Sequence, residues 1–207
     1  MRYAQMRSLD ISNGEGIGVA LFVQGCHFKC QDCFNSETWD FNGGKEWTKE
    51  TEQEFIELAK RPYIQRISIL GGEPLAVENV KDLSKLITCI REESQPQYVV
   101  DKQKDDHNML NKNANQIHLL LSGKKLWIYT GYTWEQIFHP VVTDDLNPER
   151  DEIIQERINI VSKCDVLVDG RFEEDKKDLT LRFRGSSNQR LIDVRETLRK
   201  GEIVLWK

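Results

Sequence analysis

Three cysteines within eight residues are the strongest chemical feature of this 207-residue chain. Cys26, Cys30 and Cys33 follow the spacing C-x3-C-x2-C within the stretch FVQGCHFKCQDCFN. Thiolates are the usual ligands of iron–sulfur clusters, which normally take four, so three cysteines would leave one iron open to an outside molecule. A structural zinc site is the alternative, and it would need a fourth protein ligand from the adjacent His27 or a distant cysteine. The loop alone leaves both kinds of site open.

The elements that must position this loop follow an alternating pattern. A continuous apolar run at 19–23, closed by Gly25, predicts a buried strand directly before the cysteines. Further strands are predicted at 66–70, 125–129 and 165–168, with helices starting near Thr51 or Thr48 and spanning about 77–92 and 149–162. This alternation predicts an α/β fold with a mostly parallel sheet. Only four or five strand–helix units fit the length, so we expect an open partial (β/α) barrel with its site at the strand carboxyl ends.

Composition limits the class of protein. With 39% hydrophobic and 30% charged residues, the sequence predicts one globular domain over 1–207, interrupted by a polar insertion at about 93–116. A formal charge of −5 argues against a nucleic-acid partner. The apolar runs are too short for a membrane span, and the amino terminus lacks the apolar core of a signal peptide. Five cysteines, an odd number, fit reduced thiols, so we expect a cytoplasmic protein.

A second candidate site lies at the end of the predicted strand at 66–70. Gly71 and Gly72 precede Glu73 in the turn GGEP. Paired glycines let a ligand approach the backbone closely, and carbonyl groups or a carboxylate there can accept hydrogen bonds from an ammonium group. Such a turn is also common as a plain connection between a strand and a helix.

Taken together, these motifs resemble the radical SAM superfamily, and within it the activating proteins of anaerobic (class III) ribonucleoside-triphosphate reductases. The resemblance covers most of the chain in one order. It is carried by DISNG at 10–14, GCHFKCQDCFN at 25–35, GGEP at 71–74, WIYTGY at 127–132, VDGRF at 168–172 and RGSSNQ at 184–189. The cysteine spacing is common to many enzymes, whereas the full set indicates this one branch.

The resemblance implies the cofactors. A 4Fe–4S cluster on Cys26, Cys30 and Cys33 would bind the amino and carboxylate groups of S-adenosyl-L-methionine at its open iron. The family further implies that residues near the loop and the strand ends contact this cofactor; here those positions are Asp32, Phe34, Asn35, Gly71, Gly72, Glu73, Thr130 and Asp169. Many radical SAM enzymes place an aromatic residue directly before the third cysteine, but that position is Asp32 here and the aromatic Phe34 follows the cysteine. The reductase activators share this displacement, which leaves the adenine contact open. The alternative interpretations make Phe34 a core aromatic and Asp169 a turn acid.

The resemblance also implies an activity. The reduced cluster would cleave S-adenosylmethionine, and the resulting 5′-deoxyadenosyl radical would generate a glycyl radical on the large subunit of the anaerobic reductase, with a reduced flavodoxin-type protein as electron donor. On this interpretation the chain is an oxidoreductase without a protein acid–base pair. Two alternatives remain at this point: an activator of another glycyl-radical enzyme, of the pyruvate formate-lyase type, and a non-catalytic zinc or iron–sulfur binding module.

Overall fold

The fold was analysed in a computed structural model that describes residues 1–92, 121, 123–140 and 147–207. The helices are α1 (Lys49–Lys60), α2 (Val77–Glu92), α3 (Trp134–Phe138), α4 (Pro148–Ser162) and α5 (Val194–Lys200). The strands are β1 (Arg2–Asp10), β2 (Gly18–Val23), β3 (Lys45–Glu46), β4 (Arg66–Gly71), β5 (Lys125–Tyr129), β6 (Val166–Asp169) and β7 (Arg190–Asp193).

The strands form one sheet in the order β3-β1-β2-β4-β5-β6-β7. The four central strands, β2, β4, β5 and β6, are parallel, and the pairs toward each edge are antiparallel. Val23 lies opposite Gly71, and Tyr129 lies opposite Val168. The loops that follow the four parallel strands therefore leave the same edge of the sheet, which is where α/β proteins gather their functional groups.

The two faces of the sheet are covered differently. Leu21, Ile69, Ile128 and Leu167 belong to the main core, which includes buried residues of α1, α2 and α4. Successive strand residues point to opposite faces, so their neighbours lie on the other side. There Trp127 packs with Val166, Val168 and Leu191 under carboxyl-terminal aromatic residues, and Phe22 packs with Leu70. This second face carries the cavity described below.

The structure confirms the α/β class and the parallel central strands. A partial barrel is not confirmed, because the strand pairings among the described residues give a sheet with two edges, β3 and β7. The sequence did not predict β1, which pairs antiparallel to β2. The predicted insertion at 93–116 lies outside the described residues.

The two candidate starts of the first helix are resolved in favour of the earlier one. Thr48 is the N-cap of α1, and its side chain accepts a hydrogen bond from the backbone N–H of Thr51. Within the described residues, none of the helices has both the length and the apolar character of a membrane span.

Candidate iron–sulfur and cofactor site

The cysteine loop begins at the end of β2 and is closed by backbone hydrogen bonds. The N–H groups of Gly25 and Cys26 donate to the carbonyls of Thr38 (2.7 Å) and Trp39 (3.1 Å). Gly25 has a φ of +94°, and a Cβ there would lie 2.0 Å from the Phe41 ring, so the tight start of the loop requires glycine. The loop is thus a fixed structure rather than a free connection.

The three thiols are partly exposed and lie near one another. Burial raises the pKa of Cys26, against an opposing effect of the backbone N–H groups of Lys29 and Phe28. Burial also raises the pKa of Cys30, and the neighbouring Cys33 raises it further. The Cys33 sulfur accepts a hydrogen bond of 3.5 Å from the backbone N–H of Asn35. Backbone N–H groups directed at sulfur favour the thiolate form, which is the form that binds metal.

A cavity of about 510 Å³ opens beside these sulfurs. Most of the residues predicted for the site line this cavity, and they follow three different strands. They are Cys26, Cys30, Cys33, Phe34, Asn35, Gly71, Gly72, Glu73 and Thr130. A Cβ on Gly72 would lie 2.3 Å from the carbonyl oxygen of Gly25, so this wall is packed backbone to backbone. The structure therefore brings the cysteine loop and the Gly-Gly-Glu-Pro turn to one cavity.

Two predicted residues are not among those that line the cavity. Asp32 is exposed and adopts a φ of +53° in the cysteine loop. Asp169 is buried, and its carboxylate accepts hydrogen bonds from the backbone N–H of Trp134 (2.8 Å) and the Arg190 side chain (3.0 Å). A cofactor contact at either residue stays a prediction. At Asp169 it would compete with donors that are already in place.

Glu73 is buried and its carboxylate already has partners. It accepts hydrogen bonds from the Thr130 hydroxyl (2.7 Å) and from the backbone N–H groups of Gly131 (2.8 Å) and Leu75 (2.8 Å). Burial raises its pKa, while these donors act in the opposite direction. The carboxylate therefore joins the ends of β4 and β5. A contact between the Gly71 and Gly72 backbone and an ammonium group stays a prediction.

The same cavity is lined by residues that were not predicted as site residues. Among them are Ser12, Asn13, Phe22, Tyr129, Phe183 and Arg184. Arg66 fixes the turn that carries Ser12 and Asn13: it is fully buried and bonds both the carboxylate (2.9 Å) and the carbonyl (2.9 Å) of Asp10. The sequence motifs gave a hint of several of these lining residues, since DISNG contains Ser12 and Asn13, WIYTGY contains Tyr129 and RGSSNQ contains Arg184.

The donor set fits an iron–sulfur cluster. Three thiols face one cavity, and thiolates are the ligands such clusters require. Among the described residues, no group of three or more His, Cys, Asp or Glu side chains is close enough together to hold a single metal ion. A cluster does not need that arrangement, because each cysteine binds a different iron. The cavity is also large enough to receive a small organic molecule beside the cluster.

Comparison with known proteins agrees with this donor chemistry. The model of the 4Fe–4S single cluster domain family matches residues 12–101 and 102–192, and the chain belongs to that family. Proteins named anaerobic ribonucleoside-triphosphate reductase-activating protein are 34% identical in Salmonella typhi and in Escherichia coli K12, over 91% of this chain and 96% of theirs. The protein of that name from enterobacteria phage T4 is 27% identical over 92% of this chain. The chain is a member of the anaerobic ribonucleoside-triphosphate reductase-activating protein family, which confirms the resemblance seen in the sequence.

Proposed function

We propose that this chain is the activating enzyme of an anaerobic ribonucleoside-triphosphate reductase, and that it cleaves S-adenosyl-L-methionine reductively to place a glycyl radical on that partner. The observation that carries the proposal is the meeting of Cys26, Cys30 and Cys33 with the Gly71 and Gly72 backbone at one cavity, in a chain of this family. The sheet would then correspond to an open partial barrel.

The chain's own residues have three tasks in this proposal. The cysteines hold the cluster through three thiolates and leave one iron open. The Gly71 and Gly72 backbone orients the amino group of S-adenosylmethionine, because neither residue has a side chain that would block the approach. Phe34, Asn35 and Thr130 line the same cavity and are candidates for contacts with the nucleoside.

Cys26, Cys30 and Cys33 would hold a cluster that, once reduced by an external donor, would supply one-electron reductive cleavage of S-adenosylmethionine. The products would be methionine and 5′-deoxyadenosine, and the radical would remain on a glycine of the reductase. The protein binds and orients these groups, and the cofactors supply the chemistry. We assign the part of the cavity lined by Tyr129 and Arg184 to the glycine-bearing segment. The electron would come from a reduced flavodoxin-type protein. We also infer a cytoplasmic location, because an odd number of cysteines suits a reducing compartment.

The test is anaerobic reconstitution with iron and sulfide, followed by addition of dithionite and S-adenosylmethionine. We expect 5′-deoxyadenosine and methionine in equal amounts and, with the reductase added, a glycyl radical detected by electron paramagnetic resonance. Pyruvate formate-lyase replaces the reductase in a parallel sample. A radical on that enzyme alone would reassign the partner. Bound zinc without any cleavage would support the non-catalytic binding module instead.

A further inference from the structure

Two aromatic residues of the cysteine loop are held by segments that follow other strands. Phe28, between Cys26 and Cys30, makes an edge contact with Tyr132, with ring centroids 4.9 Å apart. Gly131 lies so close that a Cβ there would be 2.4 Å from the Phe28 ring. On the other side of the cysteines, Phe34 packs against Phe172, with ring centroids 5.1 Å apart. The segments after β5 and β6 thus hold the loop at two points.

Arg171 lies between these contacts. Its guanidinium carbon is 4.2 Å from the centroid of the Phe28 ring, which is a cation–π distance. Its backbone is fixed as well, because its carbonyl accepts a hydrogen bond from the Asn188 side chain (2.8 Å) and the next residue, Phe172, packs on Phe34. An exposed arginine is therefore kept at one place beside the cysteines.

The charges around the three sulfurs differ in sign and position. Glu73 lines the cavity with the cysteines and is buried, with three hydrogen-bond donors on its carboxylate. Arg171 lies over the ring of Phe28, which is two residues from both Cys26 and Cys30. Lys29 and Asp32 belong to the cysteine loop itself. Arg171 is thus a cation brought to the cavity from outside the loop, and it lines that cavity with all three cysteines.

We propose that the positive charge of Arg171 raises the reduction potential of the cluster. In this proposal the Phe28 ring is the positioning residue, because it holds the guanidinium in place. The proposal rests on the proposed function only in requiring the cluster. A cluster that takes one electron from an external donor becomes more negative, and a nearby positive charge stabilises that reduced form. Net charge and hydrogen bonds to sulfur are the properties by which proteins set such potentials.

The test is a redox titration of the reconstituted protein, followed by electron paramagnetic resonance, in wild type, Arg171→Gln and Arg171→Lys. We expect Arg171→Gln to bind the same amount of iron as wild type. At the wild-type midpoint potential, its ratio of reduced to oxidised cluster should be several-fold lower. A tenfold change would correspond to about 59 mV for a one-electron couple. Arg171→Lys keeps the positive charge but loses the planar stacking on Phe28, so its midpoint potential should lie between those of wild type and Arg171→Gln. Arg182→Gln is the matched control, because Arg182 is exposed and pairs with Glu15.

Phe28→Leu keeps Arg171 but removes the ring under it, so its midpoint should also fall, by less than in Arg171→Gln. This variant decides the matter if Arg171→Gln fails to bind iron. Equal midpoints in wild type, Arg171→Gln and Phe28→Leu would overturn the inference while leaving the proposed function intact. If the wild-type protein takes up no cluster, the proposed function itself is wrong. That outcome differs from equal midpoint potentials in cluster-loaded proteins, which would overturn only the role of Arg171.

Discussion

The Glu73 carboxylate at the end of β4 accepts a hydrogen bond of 2.7 Å from the Thr130 hydroxyl at the end of β5. Both groups are buried, and both residues line the cavity beside the cysteines. The bond fixes the spacing of two neighbouring strand ends at the point where the cofactor is proposed to bind. Glu73 therefore supports the site from within, even if its carboxylate never touches the ligand.

The first prediction concerns this bond. Glu73→Gln places an amide group opposite the N–H donors of Leu75 and Gly131, so at least one buried donor loses its acceptor. We expect a loss of about 1–3 kcal/mol in the free energy of unfolding, measured by urea denaturation of the apoprotein. Thr130→Val removes the hydroxyl that donates to Glu73 and accepts from the Tyr132 N–H, so it should also cost about 1–3 kcal/mol. Wild-type stability in Glu73→Gln would show that the carboxylate is not needed to join the strands.

The second prediction concerns the ion pair between Asp10 and Arg66, which are both buried. Burial raises the pKa of Asp10, but hydrogen bonds from Arg66 and Asn13 outweigh it and leave the pKa below the ordinary 3.8. Asp10→Asn leaves the Arg66 charge unpaired, so unfolding at pH 7 should become easier by about 3 kcal/mol. The Asp10 pKa is lower in the folded protein than in the unfolded chain, so the ionised carboxylate stabilises the fold in full only above the unfolded value of 3.8. The difference in stability between wild type and Asp10→Asn should therefore shrink as the pH falls below 3.8.

The control for this second prediction is an exposed ion pair. Lys81 and Glu152 lie 3.1 Å apart, and both side chains are 55% exposed. Glu152→Gln should change the free energy of unfolding by less than about 1 kcal/mol, because solvent screens the pair. A similar loss in both variants, or a difference between wild type and Asp10→Asn that does not depend on pH, would contradict the assignment.

The third prediction concerns the contact between Gly131 and Phe28. In Gly131→Ala the new methyl group would overlap the Phe28 ring, so the ring and the cysteine loop must move. We expect the iron content after reconstitution to fall. Gly131→Ala combined with Phe28→Leu should recover part of it, because the smaller side chain restores the space. No recovery in the double variant would mean that Gly131 acts by some route other than the ring.

The fourth prediction separates the ligand cysteines from the others. Cys30→Ala should abolish both cluster assembly and cleavage of S-adenosylmethionine. Cys89→Ala should keep both, because Cys89 lies in α2 and packs on the main core away from the cavity. Iron and sulfide analysis with quantification of 5′-deoxyadenosine checks both variants. The reverse pattern would discard the ligand assignment.

The sequence predicted the parallel strands and their loops because each strand is a short apolar run that ends at glycine or at a polar residue. It did not predict β1, in which buried and exposed residues are mixed, as they are in strands near a sheet edge. β7 and α5 also went unpredicted, since Arg190 sits within a basic tail that resembles a solvated surface. In the structure Arg190 pairs with Asp169 and Glu135 and lowers the pKa of Glu135 to about 2.

Local spacing was enough to predict the cysteine site, because all three thiols lie in one loop. The supporting contacts could not be predicted in the same way. Arg171 and Phe28 are far apart in the chain, and only the pairing of β5 with β6 and the path of the cysteine loop bring them together. Likewise, nothing in the turn GGEP indicates that the Glu73 carboxylate would be engaged by Thr130.

If three cysteines leave one iron open, the amino nitrogen of S-adenosylmethionine binds directly to the cluster. Electron–nuclear double resonance measures this on the reduced, reconstituted protein with S-adenosylmethionine labelled at its amino nitrogen. We expect a hyperfine coupling between the labelled nitrogen and the cluster, which disappears when unlabelled cofactor is exchanged in. A four-iron cluster that shows no such coupling at saturating cofactor, with a protein side chain on the fourth iron, would contradict the assignment of an open iron.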